Sequence, residues 1–151
     1  IDGIRADSGK LILSSNTISS CSRAIILSSK VKGTVYPNTF KKNTYNNVKV
    51  NSSYVNTLTV KSLSGKSKSA KTATLNWKKL SSASGYVVYR SASKNGSYTK
   101  ISTIKKNKTI TYKDSKLKRK STYYYKIVPY TTIGKTTVYG LDSKIVSIKI
   151  K

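Results

Sequence analysis

Few residues of this chain could carry acid–base or metal chemistry. The sequence has 151 residues with neither Glu nor His, and its carboxylates are Asp2, Asp7, Asp114 and Asp142. General acid–base catalysis relies chiefly on His, Glu and Asp, and imidazole and carboxylate groups are common metal ligands. Paired carboxylates or a His-based triad therefore cannot be assembled from most of the chain. The sequence predicts no catalytic residue, no metal site and no cofactor.

Charged residues near the N-terminus are the remaining candidates for such chemistry. They are Asp2, Arg5, Asp7 and Arg23. Calcium sites need several oxygen ligands with negative charge, and two Asp residues supply few of them. We therefore interpret these side chains as turn residues.

Cys21 is the single cysteine, so neither an internal disulfide nor a zinc-binding spacing can form. Because it stands in an apolar run, we expect it to be a small buried hydrophobic residue. No run approaches the ~18 apolar residues of a membrane span. The sequence lacks a signal peptide and contains no Met, which indicates an excerpt or processed piece of a longer protein. We expect it to be a monomer.

The chain is strongly basic, with 30 Lys and Arg against 4 Asp and Glu and a formal net charge of +26. Such a charge attracts anionic partners over long distances. The lysines are spread almost evenly from Lys10 to Lys151, however, and Arg, which suits bidentate contacts to phosphates and bases, is rare. Evenly spread Lys is typical of solvated strand faces and protected sheet edges. Nucleic acid is therefore a disfavoured partner, whereas an acidic glycan or anionic cell-wall polymer stays open.

The twelve tyrosines raise the alternative of carbohydrate binding, because sugars stack on aromatic faces. The candidates for glycan contact are Tyr89, Tyr124 and Tyr130, together with Tyr98 and Tyr139. Tyrosines are also good strand formers, which bury the ring and leave the hydroxyl at a polar tip. A binding platform would require several coplanar exposed rings, so a role in the core or in strand formation is the favoured interpretation.

Strands rather than helices must position these side chains. Ser, Thr, Lys, Asn, Tyr, Val and Ile dominate the sequence, and this composition is typical of strands and turns. No segment sustains the i, i+3, i+4, i+7 apolar pattern of a helix. The fold is therefore predicted to be all-β. Near residue 55 the short bursts of apolar residues give way to longer and more regular strand patterns. This change divides the chain into two regions joined by a linker at residues 53–56.

Residues 1–52 contain a short repeat. The triplet Asn-Thr-Ile at Asn16 returns as Asn-Thr-Phe at Asn38, 22 residues later, and Ile4, Ile25 and Val48 align at offsets of 21 and 23. A period near 20 residues indicates a supersecondary unit that stacks on its copy. In a solenoid of short strands, equivalent residues lie about 4.8 Å apart. The two Asn side chains would then hydrogen-bond to each other, and the aliphatic residues would form an internal row.

The runs GIRADSGKLILSSNTISSCS and AIILSSKVKGTVYPNTFKKNTYN resemble the right-handed parallel β-helix of the pectate-lyase-like superfamily. The resemblance covers two rungs and the start of a third, and it implies that residues 1–52 are the last rungs of such a solenoid. Asn51 to Asn56 would form its exit. A β-sandwich fragment with a chance similarity is the alternative.

Residues 57–151 contain longer and more regular strands. Ala73, Leu75 and Trp77 alternate onto one face, and Asn95-Gly96 is a strong hairpin signal. Seven strands with turn signals between them are typical of a β-sandwich. The predicted strands include residues 72–77, 86–90, 98–104, 109–112, 122–130 and 135–149.

Over essentially all of this second region, the runs TATLNWKKLSSASGYVVYRSASKNGSYTKISTI and YKDSKLKRKSTYYYKIVPY resemble a bacterial fibronectin type III module. The resemblance implies a strand-B Trp at Trp77 and a strand-C aromatic residue at Tyr86. It also implies the Leu before strand F at Leu117 and a tyrosine-corner residue at Tyr123. The hydroxyl of such a Tyr bonds to the backbone a few residues upstream.

Two features qualify what this resemblance implies. Pro129 departs from the family pattern, because it removes a backbone N–H from strand F and so predicts an edge or a bulge there. The turn TTIGKTT lacks Arg-Gly-Asp, so integrin-type adhesion gains no support.

Together these patterns predict a non-catalytic C-terminal segment of a secreted or cell-surface bacterial β-helix protein. The sandwich would act as a spacer or docking module that caps the solenoid of a parent acting on polysaccharide, a lyase or a glycoside hydrolase. In the alternative, the parent is a cell-surface adhesin or wall-binding protein whose Lys-rich surface binds anionic polymers.

Overall fold

The computed structural model describes residues 2–20, 23–28, 30–41, 45–50, 52–55 and 58–151. Cys21 lies outside these ranges, as do Asn51 and Asn56 at the predicted exit and Thr57 at the predicted start of the second region. The described residues form strands, turns and bends without a helix, so the all-β prediction is confirmed. Accordingly, this part of the chain has no helix that could cross a membrane.

Sixteen strands are found in the described part of the chain. They are β1 (Asp2–Ala6), β2 (Gly9–Leu13), β3 (Thr17–Ser19), β4 (Arg23–Leu27), β5 (Val31–Val35), β6 (Thr39–Lys41), β7 (Tyr45–Val50), β8 (Ser53–Val55), β9 (Ser64–Lys66), β10 (Ala73–Asn76), β11 (Gly85–Ser91), β12 (Thr99–Ile104), β13 (Thr111–Asp114), β14 (Thr122–Ile133), β15 (Thr136–Tyr139) and β16 (Val146–Lys149). The chain forms two compact units, Ile1–Leu58 with Tyr130–Leu141 and Thr59–Pro129 with Asp142–Lys151. The first unit thus includes a hairpin that the sequence assigns to the second region.

Parallel ladders build the first unit. β1 pairs with β4 and β4 with β7, so that Ile4, Ile25 and Val48 lie side by side at offsets of 21 and 23 residues. β2 pairs in parallel with β5, and β3 with β6. These registers are the ones that the repeat in the sequence predicts.

The interior of the first unit is aliphatic. Ile25 and Leu27 of β4 are buried, and their ladder partners Val48 and Val50 of β7 are buried beside them. Full burial of one such side chain stabilises the folded state by about 1.5–3 kcal/mol relative to exposure. Because side chains alternate along a strand, a slip of one residue would turn this whole set outward, and the register is therefore strongly specified.

The parallel ladders of the first unit are flanked by β8 and by the hairpin of β14 and β15. β8 pairs with β7 in antiparallel register, with Val55 opposite Val48. β15 pairs in parallel with β5 and is held by β14 as an antiparallel hairpin. The hairpin turn contains Gly134 at φ 56, a left-handed conformation that glycine adopts without strain. One edge of β5 is therefore covered by the hairpin of β14 and β15.

The second unit consists of two packed sheets. β13, β10 and β9 form one antiparallel sheet. The other contains β12, β11 and the first part of β14, which also pairs with β16. Both sheets contribute to one buried core, which comprises Val60, Ala73, Leu75, Trp77, Ala83, Tyr86, Val88, Leu117, Tyr125, Ile127, Ile148 and Ile150. This arrangement is a β-sandwich.

The single strand predicted over residues 135–149 is wrong, because two strands occupy this stretch. β15 ends at Tyr139 and β16 begins at Val146. Between them, Gly140 passes so close to Leu58 that a Cβ atom would collide with the Leu58 carbonyl oxygen. The same carbonyl accepts a hydrogen bond of 2.8 Å from the N–H of Leu141. This close backbone approach ends the strand.

Pro129 lies where β14 changes partners. β16 pairs with residues 122–125 of this strand and β15 with residues 130–133. Pro129 belongs to neither register, so its missing N–H interrupts neither of these two ladders.

Candidate functional site

Asn16 and Asn38, which the repeat singles out, are hydrogen-bonded to each other. Asn38 Oδ1 accepts from the backbone N–H of Asn16 at 2.9 Å and from Asn16 Nδ2 at 3.0 Å. The two amide groups also donate to the carbonyl oxygens of Ser14 and Tyr36, at 3.1 and 2.7 Å. The two Asn side chains therefore satisfy polar backbone groups of adjacent turns and tie the turns together.

The charged candidates near the N-terminus do not form an assembled site in the described part of the chain. Arg5 Nε lies 3.5 Å from Asp7 Oδ1, and both side chains are largely exposed. The side chains of Asp2 and Arg23 lie outside the described residues. Exposed ion pairs contribute little to stability. No group of three His, Cys, Asp or Glu that could hold a metal ion occurs within the described ranges.

Three tyrosines lie side by side in the first unit, two in the hairpin of β14 and β15 and one just after β5, and we call Tyr130, Tyr139 and Tyr36 the aromatic row. Tyr130 pairs with Tyr139 in the hairpin, and Val138 pairs with Val35, which brings the next residues, Tyr139 and Tyr36, together. The rings of Tyr36 and Tyr139 are parallel within 7°, with centroids 5.0 Å apart. The rings of Tyr130 and Tyr139 are tilted by 49° at 5.8 Å. Burial raises the pKa of Tyr130.

The aromatic row is better suited to holding strands together than to binding a sugar. Rings that lie face to face cover one another, whereas a stacking sugar needs an open face. Tyr130 and Tyr139 are half-buried, and Tyr36 is 41 % exposed. A stacked aromatic pair contributes about 0.5–1.5 kcal/mol beyond its buried area. Glycan contact at Tyr130 stays a prediction.

A second group of tyrosines surrounds a lysine in the second unit. Lys126 Nζ lies 5.7 Å from the ring centroid of Tyr89 and 4.9 Å from that of Tyr98, and it bonds to Asp142 Oδ2 at 2.6 Å. Burial, and then the neighbouring Tyr124 and Asp142, raise the pKa of Tyr98. The two rings already contact a cation of the chain itself. Glycan contact at Tyr89 and Tyr124 stays a prediction.

Trp77 and Tyr86 are neighbours in the sandwich core. Their rings meet edge to face, with centroids 5.4 Å apart and planes at 71°. The Tyr86 hydroxyl accepts a hydrogen bond from the N–H of Leu80 at 2.9 Å and donates to the carbonyl of Asn107 at 3.3 Å. The ring is therefore buried while its polar tip is satisfied, as a core tyrosine requires.

Leu117 and Tyr123 hold the loop between β13 and β14. Leu117 is buried, and its N–H donates to the carbonyl of Lys71 at 3.0 Å. The Tyr123 hydroxyl accepts from the N–H of Lys118, five residues upstream, at 3.3 Å. The guanidinium of Arg90 lies 5.4 Å from the centre of the Tyr123 ring. The upstream hydrogen bond has the form of a tyrosine corner.

An ion pair with a buried carboxylate lies beside this corner and has no clear signal in the sequence. Asp114, which is 6 % exposed, accepts hydrogen bonds from Arg90 Nη1 at 3.0 and 3.3 Å and from the Tyr125 hydroxyl at 3.0 Å. Burial, and next the Asp114 carboxylate, raise the pKa of Tyr125 well above its ordinary value. Because the Arg90 side chain is 34 % exposed, solvent screens part of this pairing, so it contributes less than a fully buried pair would. The three side chains therefore act as a structural anchor.

Four cations line an open hollow of about 680 Å³ in the second unit. Its lining, which we call the basic hollow, comprises Lys71, Lys116, Leu117, Lys118, Arg119 and Tyr123. Residues far apart in sequence meet there because the Leu117 N–H bonds to the Lys71 carbonyl. All four cationic side chains are exposed.

Comparison with known proteins identifies the family of the sandwich. No protein-family model matches the chain, and no curated protein matches it. The crystal structure of an Fn3-like protein from Clostridium thermocellum aligns with 60% of this chain and 88% of its own, at 30% identity and a TM-score of 0.50. The chain belongs to the fibronectin type III-like family. The aligned share corresponds to one fibronectin type III-like domain.

Two animal structures share the fold at lower identity. The chicken CNTN1 FN1–FN3 domains align with 76% of this chain, which spans 35% of that structure, at 16% identity and a TM-score of 0.53. The sixth fibronectin type III domain of human fibronectin type III domain containing protein 3 aligns with 64% of this chain and 87% of its own, at 19% identity and 0.52. At these identities the similarity establishes a shared fold.

The basic hollow of the fibronectin type III-like domain is absent from the sequence-based predictions. Lys71 is far from Lys116 in sequence, so the spread of lysines along the chain looks even. The run Lys-Leu-Lys-Arg-Lys at residues 116–120 is the signal that could have indicated it, with four cations in five positions. The sequence also does not predict the ring contact of Tyr36, because Tyr139 and Tyr130 belong to the other region of the sequence.

Proposed function

We propose that this chain is a non-catalytic segment of a secreted or cell-surface bacterial protein, with the fibronectin type III-like domain as a spacer and docking module. Residues 1–52 would be terminal rungs of a right-handed parallel β-helix of the pectate-lyase-like type. Residues 53–56 would be the linker and residues 57–151 the module. The parent protein would act on polysaccharide through residues that this segment does not supply.

The observation that carries the proposal is the pairing of β15 with β5. Thr136 lies opposite Gly33 and Val138 opposite Val35 in parallel register. The buried Thr136 hydroxyl also donates to the carbonyl of Val31 at 2.9 Å. An uncovered sheet edge offers unpaired N–H and C=O groups to other chains. A hairpin that covers the edge of β5 is what a capping module requires.

The three ladders support the β-helix part of the proposal. Among the described strands, β1, β2 and β3 each pair on one side only. Ile12 of β2 is 75 % exposed. Parallel strands at offsets of 21–23 residues require a chain that returns once per turn, as in a solenoid. Further turns stacked on these edges would pair with all three strands.

The binding of anionic polymers is a second candidate role. It is favoured by the basic hollow, whose lining contains four cations and no acidic residue. In this role the chain would be part of a monomeric adhesin or wall-binding protein. Binding that follows polymer charge and disappears at high salt would support it, because salt screens exposed charges.

Amide hydrogen exchange on the full chain tests the docking role. Val138→Lys places a charge at a position that is 4 % exposed, whereas Thr132→Lys adds the same charge at an exposed position of the same hairpin. Because β5 also pairs with β2, we expect V138K to remove protection only from the β5 amides that face β15, while the β10 amides exchange as in the wild type. The T132K control should alter neither strand. Full protection of β5 in V138K would show that the hairpin does not cover this edge.

A further inference from the structure

We propose that the basic hollow binds a linear anionic glycan, one whose sulfate, phosphate or carboxylate groups recur along its length. The proposal rests on the second candidate role and gives that role a place on the molecule and a class of ligand.

Backbone hydrogen bonds hold the two loops of the hollow together. The carbonyl of Lys71 accepts from the N–H of Leu117 at 3.0 Å, and the N–H of Lys71 donates to the main-chain oxygen of Lys151 at 3.3 Å. The N–H of Lys118 is fixed on the Tyr123 hydroxyl at 3.3 Å. The backbone positions of the cations are therefore set before a ligand arrives, which lowers the entropy lost on binding.

Neither side-chain carboxylate of the same unit is available to compensate the charges of the hollow. Asp114 stands at the end of β13, next to the loop, but it is buried and bonded to Arg90 and Tyr125. Asp142 is paired with Lys126. An anion that enters the hollow therefore meets the side chains of lysine and arginine without a competing carboxylate in its lining.

Backbone strain falls on the same two loops. Lys71, Lys116 and Lys120 adopt the left-handed conformation, with φ of 58, 60 and 61°. Glycine adopts this conformation freely, whereas a residue with a side chain does so at a cost in energy. Strained residues cluster at binding sites, where the side chain is needed. Two of these residues, Lys71 and Lys116, belong to the lining of the hollow, where glycine would adopt the same turn without strain.

The chemistry of the lining favours an anionic glycan over nucleic acid. Three of the four cations are Lys, which presents a point charge rather than the planar fork that reads phosphates and bases. Proteins that hold single strands also provide aromatic faces for base stacking. Tyr123 provides the single aromatic ring of the lining, and the guanidinium of Arg90 already lies over that ring. Its hydroxyl accepts a hydrogen bond from the N–H of Lys118. An open hollow with repeated charge suits a polymer that passes across it.

Two variants of the full chain with equal charge test this proposal. In the hollow variant, the four cations of the lining are replaced by Gln: K71Q, K116Q, K118Q and R119Q. The control variant removes four exposed lysines at the other end of β10, where the Trp77 N–H bonds to the Ile110 carbonyl: K79Q, K105Q, K106Q and K108Q. The probes are dextran sulfate, uncharged dextran and a short DNA duplex. The fluorescence of Trp77, the single Trp, reports whether each variant is folded. If the variant with four substitutions is unfolded, R119Q alone is tested in its place.

The wild type is expected to bind dextran sulfate and not dextran. The hollow variant should lose affinity by about 10- to 100-fold and the control by less than about threefold, because only the former removes direct contacts. The slope of log K against log salt should fall by about 3–4 in the hollow variant.

Three outcomes would overturn the proposal. Equal losses in the two variants would mean that binding is spread over the surface, which leaves the second role intact but not the hollow. A wild type that ignores dextran sulfate would refute both the hollow and the second role. Equally tight binding of DNA through the same residues would reject the glycan. The docking role is independent of all three, since it is measured by β5 exchange.

Discussion

Replacing Lys116 with Gly is expected to stabilise the fibronectin type III-like domain while weakening the proposed binding of anionic polymer at the basic hollow. Lys116 is exposed and has a φ of 60°. The left-handed conformation costs an L-residue about 1–2 kcal/mol. Glycine removes that cost but has greater freedom in the unfolded chain, which offsets about 0.5–1 kcal/mol. The free energy of unfolding should therefore rise by about 0.5–1 kcal/mol.

Urea unfolding followed by the fluorescence of Trp77 measures this change, because the indole is buried in the domain. A gain of this size corresponds to a rise of about 2–8 °C in the melting temperature of a small domain. Lys113→Gly is the matched control, since Lys113 is also exposed but lies within β13. There, glycine relieves no left-handed strain and should destabilise by about 0.5–1 kcal/mol.

If the backbone at Lys116 is strained, K116G and K113G should change the free energy of unfolding in opposite directions. If K116G lowers the urea midpoint as much as K113G does, the left-handed backbone at Lys116 stores no strain. If K116G binds dextran sulfate as tightly as the wild type, the ammonium group is not used for the polymer. A substitution that stabilises the fold and weakens binding is what a strained functional residue predicts.

Three further changes test other parts of the structure. Burial raises the pKa of Tyr125 above the value of about 10 in the unfolded chain, so the stability linked to its protonated hydroxyl is complete below pH 10. Above pH 10 the free energy of unfolding should fall by at most about 1.4 kcal/mol per pH unit. Tyr125→Phe should flatten this decline in urea titrations. A double-mutant cycle of Tyr36→Ala and Tyr139→Ala should give a coupling of about 0.5–1.5 kcal/mol in the exchange of β5 amides, and zero coupling would mean that the stack holds nothing. Gly65→Ala should lower the free energy of unfolding by about 1–3 kcal/mol, because the new methyl group collides with Ile148, and an unchanged urea midpoint would contradict that contact.

Elements with one buried face could be predicted from the sequence because their pattern is local. Ala73, Leu75 and Trp77 alternate, and all three are buried in the sandwich. The offset between Ile4 and Ile25 is equally visible, and the two residues pair. The interruption after Tyr139 could not be seen, because it depends on the approach of distant backbone rather than on any turn signal nearby.

The basic hollow and the ion pair with a buried carboxylate depend on contacts between distant segments. Lys71 and Lys116 meet because β10 and β13 are paired, with Ala73 opposite Asp114. Arg90 reaches Asp114 from the other sheet of the sandwich. A count of charges along the chain records the number of lysines, but only the strand register determines which of them share a surface.

The course of β14 limits how far the fibronectin type III-like domain can act alone. Its residues up to Pro129 belong to the second unit, and those from Tyr130 belong to the first. The division predicted from the sequence places the hairpin in the second region, yet the buried Thr136 donates to Val31 and Val138 pairs with Val35, both in the first. Without β5, the hairpin would present a hydroxyl, an apolar side chain and an unpaired edge to water, a combination prone to pairing with other chains. The β5 strand supplies the pairing partner that this edge of β15 would otherwise lack.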